Sequence, residues 1–183
     1  MSWIIVAVVA IALIAWVSSS YNGFVKMRNM AEEAFSTMDV YLKKRYDLIP
    51  NFVETVKGYA KHESETLEKV IVARNMAAGA TTSEDRIKND NILNDSLKTL
   101  FAVAEAYPDL KANANFAALQ RELSDIEDEI ANSRKYYNGV IKTYNTKIEL
   151  FPGNILARMF GFSRKPLYEV SDAAQRENVK VQF

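Results

Sequence analysis

The hydrophobic pattern changes abruptly after the first two dozen residues. Residues 3–17 form an unbroken apolar run, WIIVAVVAIALIAWV, and no charged side chain occurs before Lys26. As a helix this run spans roughly 22 Å at ~1.5 Å per residue, short of the ~30 Å hydrocarbon core. The uncharged residues that follow, to Tyr21, supply the missing length. Trp3 and Trp16 stand near the two ends, where indole rings favour the membrane interface. A cleaved signal peptide would carry a basic leading segment and small residues at its cleavage point. Nothing basic precedes this run, and the corresponding zone reads Ala15-Trp16-Val17-Ser18. The pattern therefore predicts an uncleaved anchor over residues 1–21.

Beyond Tyr21 the apolar positions recur every three or four residues, the helical period. The clearest series is Phe116, Leu119, Leu123, Ile126, Ile130, Tyr137, Val140, Tyr144, Ile148 and Phe151, interrupted only by Ser133. A seam of that length needs a partner of similar length. Breaks are expected at Ile49-Pro50, at residues 79–83 with Ser83 as a cap, at Tyr107-Pro108 and at Phe151-Pro152-Gly153. They predict helices over about 21–47, 50–79, 83–106 and 113–151. A single helix through Pro50 would extend for roughly 85 Å at ~1.5 Å per residue. Nothing else in the chain is long enough to cover its apolar face, so a turn is expected there, with Asp47 as its cap. The expected fold class is all-α: a transmembrane helix continuing into an antiparallel up-down four-helix bundle. The domain reading is an anchor at 1–21, the bundle at 22–152, a membrane-interfacial segment at 153–166 and a polar tail at 167–183.

In such a bundle the fourth helix returns toward the bilayer, so the segment after Phe151 meets lipid headgroups. Arg158, Met159, Phe160, Phe162, Arg164 and Lys165 mix aromatic, apolar and cationic side chains there. Together with Trp3 and Trp16 they are the candidate membrane-interfacial residues. The competing reading is a short fifth helix capping the base of the bundle. Lys26, Arg28, Lys43, Lys44 and Arg45 follow the span and no cation precedes it. The positive-inside rule then puts the N-terminus outside and the C-terminal domain in the cytoplasm.

The charge balance narrows the chemistry. With 23 basic and 23 acidic side chains, the chain lacks the basic excess that nucleic-acid binding uses. No cysteine is present, which excludes disulfides, thiol nucleophiles, cysteine-held metals and lipid acylation. The single histidine, His62, has Tyr59 where a di-iron bundle needs Glu. Glu63, Glu65 and Glu68 read as a solvated helix face. No cofactor or catalytic residue is expected. The polar residues of interest are interhelical. Aligning Tyr21 with Ile148 places Arg45 within a turn of Glu127 and Asp39 near Arg134, as candidate ion pairs that set register. Asn138 and Asn145 repeat at a heptad interval beside seam tyrosines, where asparagine can fix register.

Several ordered motifs resemble the LemA family. They are Leu42-Lys43-Lys44-Arg45-Tyr46-Asp47-Leu48-Ile49-Pro50-Asn51, Val56-Lys57-Gly58-Tyr59 and Tyr107-Pro108-Asp109-Leu110-Lys111-Ala112-Asn113. Phe116 with Leu119-Gln120, Glu127 followed by Arg134, the doublets Tyr137-Asn138 and Tyr144-Asn145, and Phe151-Pro152-Gly153-Asn154 complete the match. The resemblance implies a bacterial membrane protein with an external N-terminus, a cytoplasmic four-helix domain and no established catalytic residue. Family members often neighbour a membrane zinc protease in genomes. The expected function is a non-enzymatic scaffold that forms homo-oligomers on the lipid bilayer. The alternative is an adaptor or regulator of a membrane protease.

Overall fold

The helices expected over 83–106 and 113–151 form, the break expected at Ile49-Pro50 does not, and the helix expected over 50–79 is interrupted instead at residues 58–63, which open with Gly58. The computed structural model describes residues 1–169, and among them there is no strand. Six helices follow in order: α1 Ser2–Lys57, α2 Ser64–Ala78, α3 Ser83–Glu105, α4 Pro108–Lys111, α5 Ala114–Glu149 and α6 Gly153–Met159. The polar tail read over 167–183 lies outside the described residues from 170 onward.

The turn expected at Pro50 is absent: α1 continues through it to Lys57. Proline has no N–H, so the Tyr46 carbonyl one turn earlier loses its helical donor. Arg74 on α2 replaces it, its Nε donating to the Tyr46 oxygen at 2.8 Å. The same guanidinium lies 3.6 Å from the Asp47 carboxylate, the residue expected to cap a new helix. The objection to a long helix assumed one partner along its whole length. Instead, different stretches of α1 are covered by different elements, and the first stretch by none. The cap of α3 also differs by one residue: the Thr82 hydroxyl, not Ser83, accepts from the Asp85 N–H at 3.0 Å.

Two compact units divide the chain. The first combines Met1–Tyr41 with Glu129–Leu167. Its core gathers Phe24 from α1, Tyr144 and Ile148 from α5, Leu156 and Ala157 from α6, and Phe162 beyond it. Further along, the Phe35 ring meets Tyr137 edge-on at 5.7 Å. The second unit contains Leu42–Asp128 and, from the described tail, Tyr168 and Glu169. Its centre is Phe52, whose ring lies 5.3 Å from Phe101 of α3 and 5.1 Å from Phe116 of α5. Leu67, Val70 and Ala73 line the buried side of α2, and Leu93, Leu97 and Leu100 that of α3.

Candidate functional site

The N-terminal stretch of α1 is long and apolar enough to cross a membrane, and none of it is buried within the chain. Eight Ile, Val and Leu side chains in residues 3–16 are exposed, with no protein core to exclude water from them. At about −0.3 to −0.6 kcal/mol each near a bilayer centre, they favour insertion by roughly 4 kcal/mol. Trp3 and Trp16 are both exposed, at either end of the run.

The base of the first unit is built where this run ends. Val17 is packed against the core formed by Phe24, Tyr144, Ile148 and α6. The Tyr21 ring meets Phe160 at 5.0 Å and Phe162 at 5.8 Å, both edge-on. Segment 153–165 is thus a short helix followed by a strap. Leu156, Ala157 and Phe162 face inward, while Ile155, Arg158, Met159 and Phe160 are exposed. Phe162, grouped above with the lipid-facing residues, lies in the core, with the Arg28 guanidinium 5.5 Å from its ring centre. Arg164 pairs with Glu149 at 3.2 Å and Lys165 with Glu32 at 3.3 Å.

Polar side chains of α5 hold the strap. The Tyr144 hydroxyl donates to the Ser163 carbonyl, and the Tyr137 hydroxyl to the Pro166 carbonyl, each at 2.9 Å. Asn145 grips the Lys165 backbone twice: its amide donates to the carbonyl at 2.9 Å and its oxygen accepts the N–H at 3.0 Å. The heptad asparagine expected to fix helix register here satisfies an irregular backbone that would otherwise be buried without partners. Burial pushes the Tyr137 phenol up to about 12 and raises that of Tyr144. Asp39, Arg134 and Asn138 are half-buried in this unit.

In the second unit Arg45 is fully buried. It donates to Glu127 at 2.7 Å and to Asn94 at 2.6 Å through one terminal nitrogen, and through the other to Asp90. Asp90 is also fully buried, and it accepts further hydrogen bonds from the hydroxyls of Tyr46, at 3.0 Å, and Tyr168. Both carboxylate oxygens are thereby occupied, so the cluster ties α1, α3, α5 and the first residues of the tail together. The Arg45 Nε is buried without a hydrogen-bond partner. The pairing of Arg45 with Glu127 was legible from helix register, whereas Asp90 and Tyr168 were not identified. Asp90 left a signal: with Ile87, Leu93, Leu97 and Leu100 it occupies an apolar register of α3, a charge where the period calls for a hydrophobe. Tyr168 carried no comparable pattern. Among the described residues no three His, Cys, Asp or Glu side chains converge as a metal site would require.

The chain is similar to several curated proteins. Magnetosome protein MamQ 1 of Paramagnetospirillum magneticum is 25% identical, over 89% of this chain and 70% of its own length. Magnetosome protein MamQ of Magnetospirillum gryphiswaldense is 24% identical, over 88% of this chain and 70% of its own. Protein LemA of Metamycoplasma hominis is 26% identical, over 82% and 69%. The LemA family as a whole matches residues 34–183. With most of its length matched and an uncovered apolar helix at its start, this chain belongs to the LemA family and is a membrane-associated helical protein.

Proposed function

We propose that the protein is a single-pass, non-enzymatic scaffold of the bacterial inner membrane, with its N-terminus outside and its helical body in the cytoplasm. The observation that carries this reading is the wholly uncovered apolar stretch that opens α1. That stretch and the first unit's body share one uninterrupted helix, so the body is coupled directly to the bilayer. Cations on the body side of the span, starting at Lys26 and Arg28, support the orientation. Antiparallel packing of α1 and α5 is supported within the first unit, where Phe24 shares a core with Tyr144 and Ile148 while Phe35 meets Tyr137.

Self-association completes the proposal. A groove of about 630 Å³ in the first unit is lined by Met27 and Met30 on α1 and by Tyr136, Gly139 and Val140 on α5. Copies held in one bilayer share an orientation and a high local concentration, which lowers the cost of mutual docking. Native mass measurement of the full-length protein after mild detergent extraction tests the scheme. A homomeric particle of many copies is expected. A monomer, or a stoichiometric complex with a membrane protease, overturns the scaffold and in the second case favours an adaptor.

A further inference from the structure

Among the described residues outside the span, the four most exposed large apolar side chains, Phe151, Met159, Leu150 and Ile155, lie close together in sequence. Leu150, Phe151, Ile155, Met159 and Phe160 all lie on or beside α6, and Phe151 is 79% exposed. Soluble monomers rarely leave such side chains grouped in water. The two faces of α6 divide cleanly: Leu156 and Ala157 enter the core, while Ile155 and Met159, four residues apart, point away from it. The height of this face is fixed by the chain itself. Tyr21 comes four residues after Val17, the last of the apolar run, so it stands ~6 Å further along the helix. Its ring lies against Phe160, and Val17 belongs to the same packing cluster as Leu156. The outward face of α6 is therefore level with the point where the span leaves hydrocarbon.

We infer that this face is a lipid seat. Leu150, Phe151, Ile155 and Met159 enter the boundary between acyl chains and headgroups, and Arg158, exposed between the last two, meets anionic headgroup phosphate. Apolar side chains flanking a cation are the composition that interfacial helices use. Phe162 and Lys165 take no part, because the first is in the core and the second is turned to Glu32 and Asn145. The inference rests on the membrane-anchored reading and deepens it. With a second contact beside the span, the body is held against the surface rather than hanging from a single helix.

The chain has no cysteine, so single nitroxide labels can be placed without background. Full-length Ile155→Cys, Met159→Cys and Glu129→Cys are reconstituted separately in bilayer nanodiscs containing anionic phospholipid. Glu129 is an exposed position on α5 outside the Met27–Tyr136 groove, ~30 Å along the helix from Glu149 at ~1.5 Å per residue. The expected result is that labels at 155 and 159 relax with oxygen, which concentrates in lipid, and lose relaxation by a water-soluble nickel chelate, with the reverse at 129. Brominated acyl chains should quench the two tryptophans, both of which lie in the span. Chelate relaxation at 155 and 159 equal to that at 129, with tryptophan quenching intact, overturns the seat and leaves the anchor standing. Loss of tryptophan quenching overturns the anchored reading itself. Dipolar broadening between labels at 159 without oxygen access means a second copy covers the face, and also overturns the inference.

Discussion

Asp90→Ala should be among the most damaging substitutions in the chain. The change removes the buried carboxylate that receives Arg45, Tyr46 and Tyr168, leaving a cation and two hydroxyls without that partner. Breaking a buried ion pair by deleting one member costs ~3–5 kcal/mol. Arg45 keeps Glu127, whose side chain is 42% exposed, and Asn94. That residual pairing places the expected loss near the low end, about 3 kcal/mol. With a urea dependence of about 2 kcal/mol per molar, the unfolding midpoint should fall by roughly 1.5 M. Far-UV circular dichroism of full-length protein in detergent reads this directly. Replacing both members with apolar residues, Arg45→Met with Asp90→Leu, removes the stranded charge and should recover the share of the loss that comes from it, since buried pairs add little net stability over hydrophobes, while the Tyr46 and Tyr168 hydroxyls still lack the carboxylate. A midpoint for Asp90→Ala close to that of the parent, or a double variant no more stable than the single one, would refute the reasoning.

Other substitutions probe the remaining devices. Pro50→Ala should stabilise by about 1–3 kcal/mol by restoring the helical N–H, and Arg74→Met should then cost less than it does beside proline; a double-mutant cycle with no coupling contradicts the Arg74–Tyr46 account. Asn145→Leu should release the strap and open the Arg164–Lys165 bond to trypsin, seen as faster cleavage there in limited proteolysis, while cleavage at parental rates argues against the clamp. Tyr137 is held neutral by burial, with its phenol raised from 10.0 to about 12. The folded state therefore keeps a proton that the unfolded state loses, and this contribution to stability, complete below pH 10, declines as pH rises toward 12. Tyr137→Phe should flatten that alkaline decline, which denaturation midpoints measured across the window will show.

Much of the helical pattern could be read from spacing alone, because apolar period and breakers act locally. The anchor, α3 and the long seam of α5 are of this kind. What escaped depended on partners distant in sequence. Pro50 carries a local signal for a turn, and it is Arg74, 24 residues further on in α2, that supplies the donor the Tyr46 carbonyl lacks there. Register arithmetic brought Arg45 to Glu127 because both lie on long helices with a common rise. It could not place Asp90, since α3 is reached through two intervening loops. Asn145 sits at a heptad position, but its partner is an irregular strap, and periodicity says nothing about where such a segment returns. The exposed face of α6 shows the same limit: composition marked the segment as amphipathic, and only the packing of Leu156 and Phe162 reveals which side chains are left for lipid.

The account depends most on the opening stretch of α1 crossing the bilayer with its start outside. Full-length Ser2→Cys and Lys142→Cys, each in an otherwise cysteine-free chain, can be exposed in intact spheroplasts to a maleimide that does not pass membranes. The account predicts labelling at residue 2 at once and at residue 142 only after permeabilisation. Equal labelling at both positions, or recovery of the protein in the soluble fraction, would contradict it.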